Sequence, residues 1–133
     1  MLEPKIIHFQ NIIDPNGNIT IANFTDVNFP FAVKRIYWLD DVPKGKVRGE
    51  HAQRKNLKIL ICLKGSVEIE LEDLQGKKST FSLKSSKEGL FIPNLYWSRI
   101  KFGEGAILIC LASQIYEEQD YIRSHEAFLA INK

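Results

Sequence analysis

The sequence predicts an all-β fold, an antiparallel sandwich or barrel closed by a short C-terminal helix. Three observations predict it. Turn signals recur along most of the chain: DPNGN, VPKGK, LKGS, LQGKK, KSSKEG and FGEG. The runs between them are short and rich in Ile, Val, Leu, Phe and Tyr, which is strand rather than helix behaviour. In SVEIELED, Val67, Ile69 and Leu71 face one way and Glu68, Glu70 and Glu72 the other, the pattern of a sheet with one wet face.

The elements follow in order. IIDPNGNI, residues 12–19, reads as a strand and a tight turn. VKRIYWL and GEHAQR read as strands with polar groups on both faces. In the first, Val33, Arg35, Tyr37 and Leu39 share a side. LKILICL is apolar on both faces and therefore predicts a central strand. LQGKK is the turn between Leu71 and Phe81. The character changes only at the end. YEEQDYIRSHEAFLAINK has an acidic start, a basic end, and Tyr121, Ile122, Phe128 and Leu129 near helical spacing. This predicts a helix from about Glu117 to about Ala130.

No linker, repeat or low-complexity stretch interrupts the 133 residues, so 1–133 reads as one domain with a core of its own. A formal net charge of +2 without a basic stripe argues against nucleic acid as a partner. No apolar run reaches membrane-spanning length, and the first residues lack the apolar core of a signal peptide. Cys62 and Cys110 sit in the apolar runs ILICL and AILICLA as small buried hydrophobes. A cytoplasmic protein with reduced thiols is the expectation.

The stretch RGEHAQRKN, residues 48–56, is the anomaly, a short strand crowded with polar side chains. A small cupin, the double-stranded β-helix or jelly-roll barrel, is its natural host. Many cupins bind metal through an HxH pair, a later glutamate and a further histidine. Here the pair is His51 and Gln53, the glutamate position falls at Leu57 or Lys58, and the last histidine position is Ser98. A neutral amide, a Lys or Leu and a hydroxyl make a poor Zn²⁺ or Fe²⁺ site, so no metal is expected. No Gly-rich phosphate loop or serine elbow is present. His51 is left as the residue suited to acid–base work near neutral pH, with a satisfied structural histidine as the competing reading.

On a regular strand, His51 and Gln53 point opposite to Arg48; a bulge at Gly49 would bring Arg48 round. Arg35 and Tyr37 together suit a phosphate oxygen, or else Arg35 pairs with a glutamate and Tyr37 packs. Trp97 reads as a core aromatic, with stacking on a ligand base as the alternative.

The motifs together resemble the dTDP-sugar 3,4-ketoisomerases, small cupins that act on dTDP-4-keto-6-deoxy-D-glucose. The resemblance runs through IIDPNGNI, the block FPFAVKRIYWLDDVPKGKVRGEHAQRKN, LICLKGSVEIELED, GLFIPNLYWSRI and the ending LASQIYEEQDYIRSHEAF. His51 matches the first histidine of the family's His–Ala–His, Arg48 the arginine before it, and Arg35 and Tyr37 the Lys–Arg–x–Tyr strand. Three positions depart from the pattern. Gln53 stands for the second histidine, Asn16 for an arginine of the first turn, and Ser98 for a histidine after the IP…W tryptophan.

The resemblance implies an isomerase that moves the keto group from C4 to C3 through an enediol or enediolate, in the biosynthesis of 3-amino-3,6-dideoxy sugars for surface glycans. It implies no cofactor, and a homodimer with exchanged N-terminal strands. His51 is then the base and Tyr37 a relay for the oxygen-bound proton. Arg35 and Arg48 hold the diphosphate and Gln53 donates to the enediolate oxygen. Trp97 stacks near thymine, and Asn16 and Ser98 border the sugar. A sugar-nucleotide epimerase and a non-catalytic nucleotide-sugar-binding cupin are the alternatives, with a metal-dependent cupin oxygenase third.

Overall fold

Short β-rich runs between turn residues become twelve strands in a computed structural model, which describes residues 2–131. They are β1 (Lys5–His8), β2 (Gln10–Ile12), β3 (Ile19–Ile21), β4 (Arg35–Leu39), β5 (Val47–Gln53) and β6 (Lys58–Lys64). There follow β7 (Val67–Glu72), β8 (Lys78–Leu83), β9 (Glu88–Ile92), β10 (Trp97–Phe102), β11 (Ile107–Ala112) and β12 (Tyr121–Ile122). A 3₁₀ turn (Glu118–Asp120) precedes β12, and the helix α1 (His125–Ala130) follows it.

Ten strands form two antiparallel five-stranded sheets, ordered β1-β9-β6-β11-β4 and β12-β5-β10-β7-β8; β2 and β3 pair as a separate hairpin. This is the jelly-roll barrel that the sequence predicts. The two inner faces supply one core. Leu60, Leu90 and Leu108 of the first sheet meet Ile69, Leu71 and Leu83 of the second, and each is at most 2% exposed. Burying such a side chain contributes about 1.5–3 kcal/mol. The central position of β6 explains why its run is apolar on both faces. Its outward residues Ile59 and Ile61 lie under a second apolar layer that includes Phe9, Phe29, Phe31 and Val33. Val33 thus packs outside the barrel and does not share the inner face with Arg35 and Tyr37.

The predicted C-terminal helix is present but starts later than expected. Only His125–Ala130 is α-helical, started by Ser124, whose hydroxyl accepts from the Ala127 N–H at 3.1 Å. Residues 121–122 are extended and pair with Gln53 and Ala52. The cause is tertiary. The Asp120 carboxylate accepts the backbone N–H groups of Lys55 (2.8 Å) and Asn56 (3.3 Å), and its carbonyl accepts that of Arg54 (2.9 Å). These bonds satisfy the turn after β5 and hold the segment against the sheet edge, which outweighs local helix propensity. The short helix caps the outer face of the second sheet through Phe128, packed with Ala52, Trp97 and Ile122.

The feature that shapes the site is a bulge in β5. Ser98 of β10 pairs with His51, Arg99 with Gly49 and Ile100 with Arg48, so Glu50 is an extra residue. Gly49 has φ +88° and Glu50 φ +54°. Ser98 and Ile100 share the inner face, and so Arg48 and His51 share it too, although an unbulged strand would oppose them. A Cβ at Gly49 would lie 3.0 Å from the Ser98 carbonyl oxygen. Gly49→Ala is expected to destabilise the fold by about 1–3 kcal/mol through backbone strain, measured by urea unfolding. Wild-type stability in that variant would show that the bulge does not need glycine.

Candidate active site

The barrel interior has two zones. At one end it is closed by apolar residues such as Val67 and Phe102. At the other end, the last residues of β5 and the first of β4, β6 and β10 converge with polar side chains. Register places Arg35, Tyr37 and Lys58 on the inner face of the first sheet, beside Cys110 and Ala112. It places His51, Gln53 and Ser98 on the inner face of the second. Neighbouring strands thus deliver the groups that the sequence scatters over residues 35–98.

His51 is held in one tautomer. Its Nδ1 lies 3.0 Å from the carbonyl oxygen of Gly49, which can only accept, so Nδ1 carries the proton and Nε2 keeps its lone pair. Burial lowers its pKa to about 4, helped by the positive charge of Lys58. The imidazole is therefore neutral at pH 7 and free to accept at Nε2. The Tyr121 ring packs edge-on against it at 5.0 Å.

Tyr37 has the opposite character. Burial pushes its phenol far above the usual range, so it can donate a hydrogen bond but stays protonated. The Arg35 guanidinium lies 5.1 Å from the Tyr37 ring centre and 5.7 Å from that of Tyr116. The buried Nε of Arg35 has no hydrogen-bond partner among the described residues. Gln53 is 3% exposed. Its Oε1 accepts from Asn56 Nδ2 and Lys58 Nζ, both at 3.2 Å, while its Nε2 is a buried donor without a partner among the described residues. Two unpaired buried donors beside a neutral imidazole suit a ligand rich in oxygen acceptors. Arg48 is exposed at the rim of the same face.

Two expected residues stay outside this cluster. Trp97 points to the outer face of the second sheet, where its ring packs against His125 (5.0 Å) and Phe128 (5.8 Å) under the helix. Stacking on a ligand base is corrected to a structural role, because its neighbour Ser98 takes the inner face. Asn16 is exposed in the β2–β3 turn, where its N–H bonds Asp14 Oδ1 at 2.8 Å, and no hydrogen bond links it to the cluster among the described residues. Ser98 does belong, fully buried beside His51, with a long 3.5 Å contact from its hydroxyl to the His51 carbonyl oxygen.

Several residues escaped sequence reasoning. Lys58 is 5% exposed and buried inside the barrel. Tyr121 packs against His51, and Tyr116, Glu118 and Arg123 cluster around Tyr121. Arg123 binds Glu118 through Nε (2.6 Å) and Nη2 (3.0 Å), and its guanidinium covers the Tyr121 ring at 4.6 Å. These hydrogen bonds, with one from Tyr116, hold the Glu118 carboxyl down to about 2. The signal for all four was the YEEQDYIR motif, read as a helix start. Among the described residues, no three His, Cys, Asp or Glu side chains converge as a metal site. Surface clefts lined by Leu74 and Tyr96, and by Glu68 and Lys101, lie away from the cluster and share none of its residues.

Comparison with known proteins finds relatives along nearly the whole chain. The chain is 34% identical over 128 residues to a TDP-4-oxo-6-deoxy-alpha-D-glucose-3,4-oxoisomerase of Aneurinibacillus thermoaerophilus, covering 96% of this chain and 91% of the relative. It superposes with a TM-score of 0.90 and 35% identity on QdtA, a sugar 3,4-ketoisomerase from Thermoanaerobacterium thermosaccharolyticum solved in complex with TDP, covering 96% of this chain and 93% of that one. WlaRA, a TDP-fucose-3,4-ketoisomerase from Campylobacter jejuni, gives 0.89 and 30%, covering 99% and 97%. The model of the family described as FdtA, WxcM-like, C-terminal matches residues 2–133. With a family model spanning nearly its whole length and a curated relative above 30% identity, the chain belongs to the FdtA, WxcM-like C-terminal family.

Proposed function

We propose that this protein is a dTDP-4-keto-6-deoxyhexose 3,4-ketoisomerase, an intramolecular oxidoreductase of deoxysugar biosynthesis. The observation that carries the reading is His51, neutral and with Nε2 free, beside unpaired buried donors on Gln53 and Arg35. Relatives at 30–35% identity carry 3,4-ketoisomerase or 3,4-oxoisomerase names, which favours this reaction over epimerisation.

The C4 ketone acidifies the proton on C3. His51 Nε2 takes that proton, and the electron pair moves into a C3–C4 double bond as O4 gains negative charge. Gln53 Nε2 and the Tyr37 hydroxyl are the donors for the enediolate oxygens. The proton on O3 passes to O4 with Tyr37 as relay. The imidazolium returns a proton to C4, and C3–O3 becomes the ketone. Electrons and protons balance within the substrate, so the step needs no redox cofactor. Arg48 at the rim and Arg35 hold the diphosphate, where planar guanidinium groups suit phosphate oxygens.

A second copy of the chain is part of the reading. β4 is a sheet edge with Trp38 64% and Ile36 45% exposed, and Ile12, Ile13 and Ile19 project from the β2–β3 hairpin. Within one chain β1 pairs with β9; strand exchange would put the partner's β1 in that register. The cytoplasmic assignment rests on the two free buried thiols, Cys62 and Cys110. No helix among the described residues is long and apolar enough to cross a membrane.

Incubation with dTDP-4-keto-6-deoxyglucose in D₂O, followed by NMR, tests the reaction. Deuterium should appear at C4 of a 3-keto product. A carbonyl remaining at C4 after exchange would indicate an epimerase, and binding without exchange at C3 a binding protein.

His51→Asn should lower kcat by about 10²–10⁴-fold, the usual contribution of a general base, with dTDP binding retained. Gln53→Ala should cost less, because one donor is lost and water can replace it. The reverse order would move the essential proton path to Gln53.

Arg48→Ala should raise KM for the dTDP-sugar more than it lowers kcat, since the charge-assisted bonds persist from ground to transition state. Unchanged steady-state constants would return Arg48 to a solvated rim.

The pH dependence of stability has a definite sign. His51 binds a proton near 6.5 when unfolded but only near 4 when folded. Between those values the unfolded chain carries the extra proton, so stability is fully present above about 6.5 and declines as pH falls toward 4. Urea unfolding at several pH values should show a shallower decline for His51→Asn than for the wild type. Parallel curves would mean that His51 keeps its ordinary pKa in the fold.

A further inference from the structure

Lys58 is unused by the mechanism above, and it is the most deeply buried cation near the site. Replacing a buried lysine with an apolar side chain of similar volume is often neutral or stabilising, so packing does not explain its presence. Its surroundings do. The Gln114 backbone N–H donates to Asn56 Oδ1 at 3.0 Å, which fixes the Asn56 amide with Nδ2 turned toward Gln53. Asn56 Nδ2 and Lys58 Nζ then both donate to Gln53 Oε1. With both of these groups donating to its oxygen, the Gln53 amide nitrogen faces away from Lys58. That nitrogen is the donor left without a partner, on the His51 face of β5.

We propose that Lys58 is a positioning residue of the ketoisomerase, which locks the Gln53 amide with its N–H₂ group available to a substrate oxygen. The proposal rests on the ketoisomerase reading. A histidine at position 53 would put a second titrating ring against this ammonium. The amide instead accepts from it without competing for the proton, so Gln53 and Lys58 form one unit around a single imidazole.

The groups that face His51 are Lys58 of β6, Glu118 of the 3₁₀ turn, Tyr121 of β12 and Arg123 just beyond it, with uncharged Ser98 from β10. Burial lowers the His51 pKa most; Lys58 is the next cause and Arg123 adds to it, while the Gly49 carbonyl and Glu118 oppose them. Lys58 is itself lowered by burial and by Arg35, against Cys110 and Asp120.

The test uses the full chain with Lys58→Met and Lys58→Gln. Met keeps the volume and loses both the donor and the charge; Gln keeps an N–H donor on a side chain one bond shorter and loses the charge. Lys58→Met should lower kcat about tenfold or more for dTDP-4-keto-6-deoxyglucose, with KM within about threefold, because the loss falls on the reacting step. Lys58→Gln should lose less. In ring-nitrogen NMR, with the His51 signal assigned from His51→Asn, both variants should titrate at a higher pH than the wild type, while still held down by burial. Thermal melting of Lys58→Met should be unchanged or raised.

A Lys58→Met kcat within about twofold of wild type overturns the proposal. A His51 midpoint that does not move overturns the charge role, and Lys58→Gln as slow as Lys58→Met overturns the amide lock. If the wild type fails to turn over this sugar, the ketoisomerase reading fails. The His51 midpoint in Lys58→Met still decides separately whether the lysine sets the charge state of the imidazole.

Discussion

One extra residue in β5 organises the site. With Gly49 at φ +88° and Glu50 at φ +54°, the strand gains a residue relative to β10. That shift turns Arg48 onto the face that carries His51 and Gln53. It also brings the Gly49 carbonyl within 3.0 Å of His51 Nδ1, which decides the tautomer. A regular strand would send the arginine to the opposite face from the imidazole. The geometry that selects glycine and the geometry that prepares the base are therefore the same local distortion.

The chemistry follows from placing polar groups at one end of an otherwise apolar barrel. Low dielectric makes an uncompensated charge costly, so His51 is neutral and Tyr37 stays protonated. The same environment strengthens any hydrogen bond that a bound oxygen makes. Gln53 Nε2 and Arg35 Nε lack such a bond among the described residues, although nearly every buried polar group in a folded protein has one. The apolar end of the interior holds the sheets together while the polar end carries unsatisfied donors.

The C-terminal segment joins fold and site. Asp120 ties the turn after β5 through three backbone N–H groups, and the adjoining Tyr121 lies against His51. One residue further on, Ile122 joins Phe128 and Trp97 on the opposite face. A single short strand thus serves both faces of the sheet, with an aromatic ring toward the site and an apolar anchor under the helix. Substitutions in this segment couple stability to the position of the base.

The sequence by itself determined the all-β class, the wet side of Val67–Leu71 and the central place of β6, because two-residue alternation and turn chemistry are local; Glu72, expected on the wet face, is instead buried, with its carboxylate 2.6 Å from His125 Nε2. It also marked His51, Arg48, Arg35, Tyr37 and Gln53 through their order in motifs. It misjudged residues 117–124, because the acidic start and near-helical spacing are local signals, whereas the strand at 121–122 depends on bonds from Asp120 to a turn some 65 positions away. Trp97 and Ser98 were separated only by pairing register, which sends adjacent residues to opposite faces. Lys58 lay hidden inside an apolar run. A lysine there reads as a strand end in water until the fold shows Gln53, Asn56 and Cys110 around it. Tertiary structure decided these points because burial, hydrogen-bond partners and charge state depend on neighbours far away in the chain.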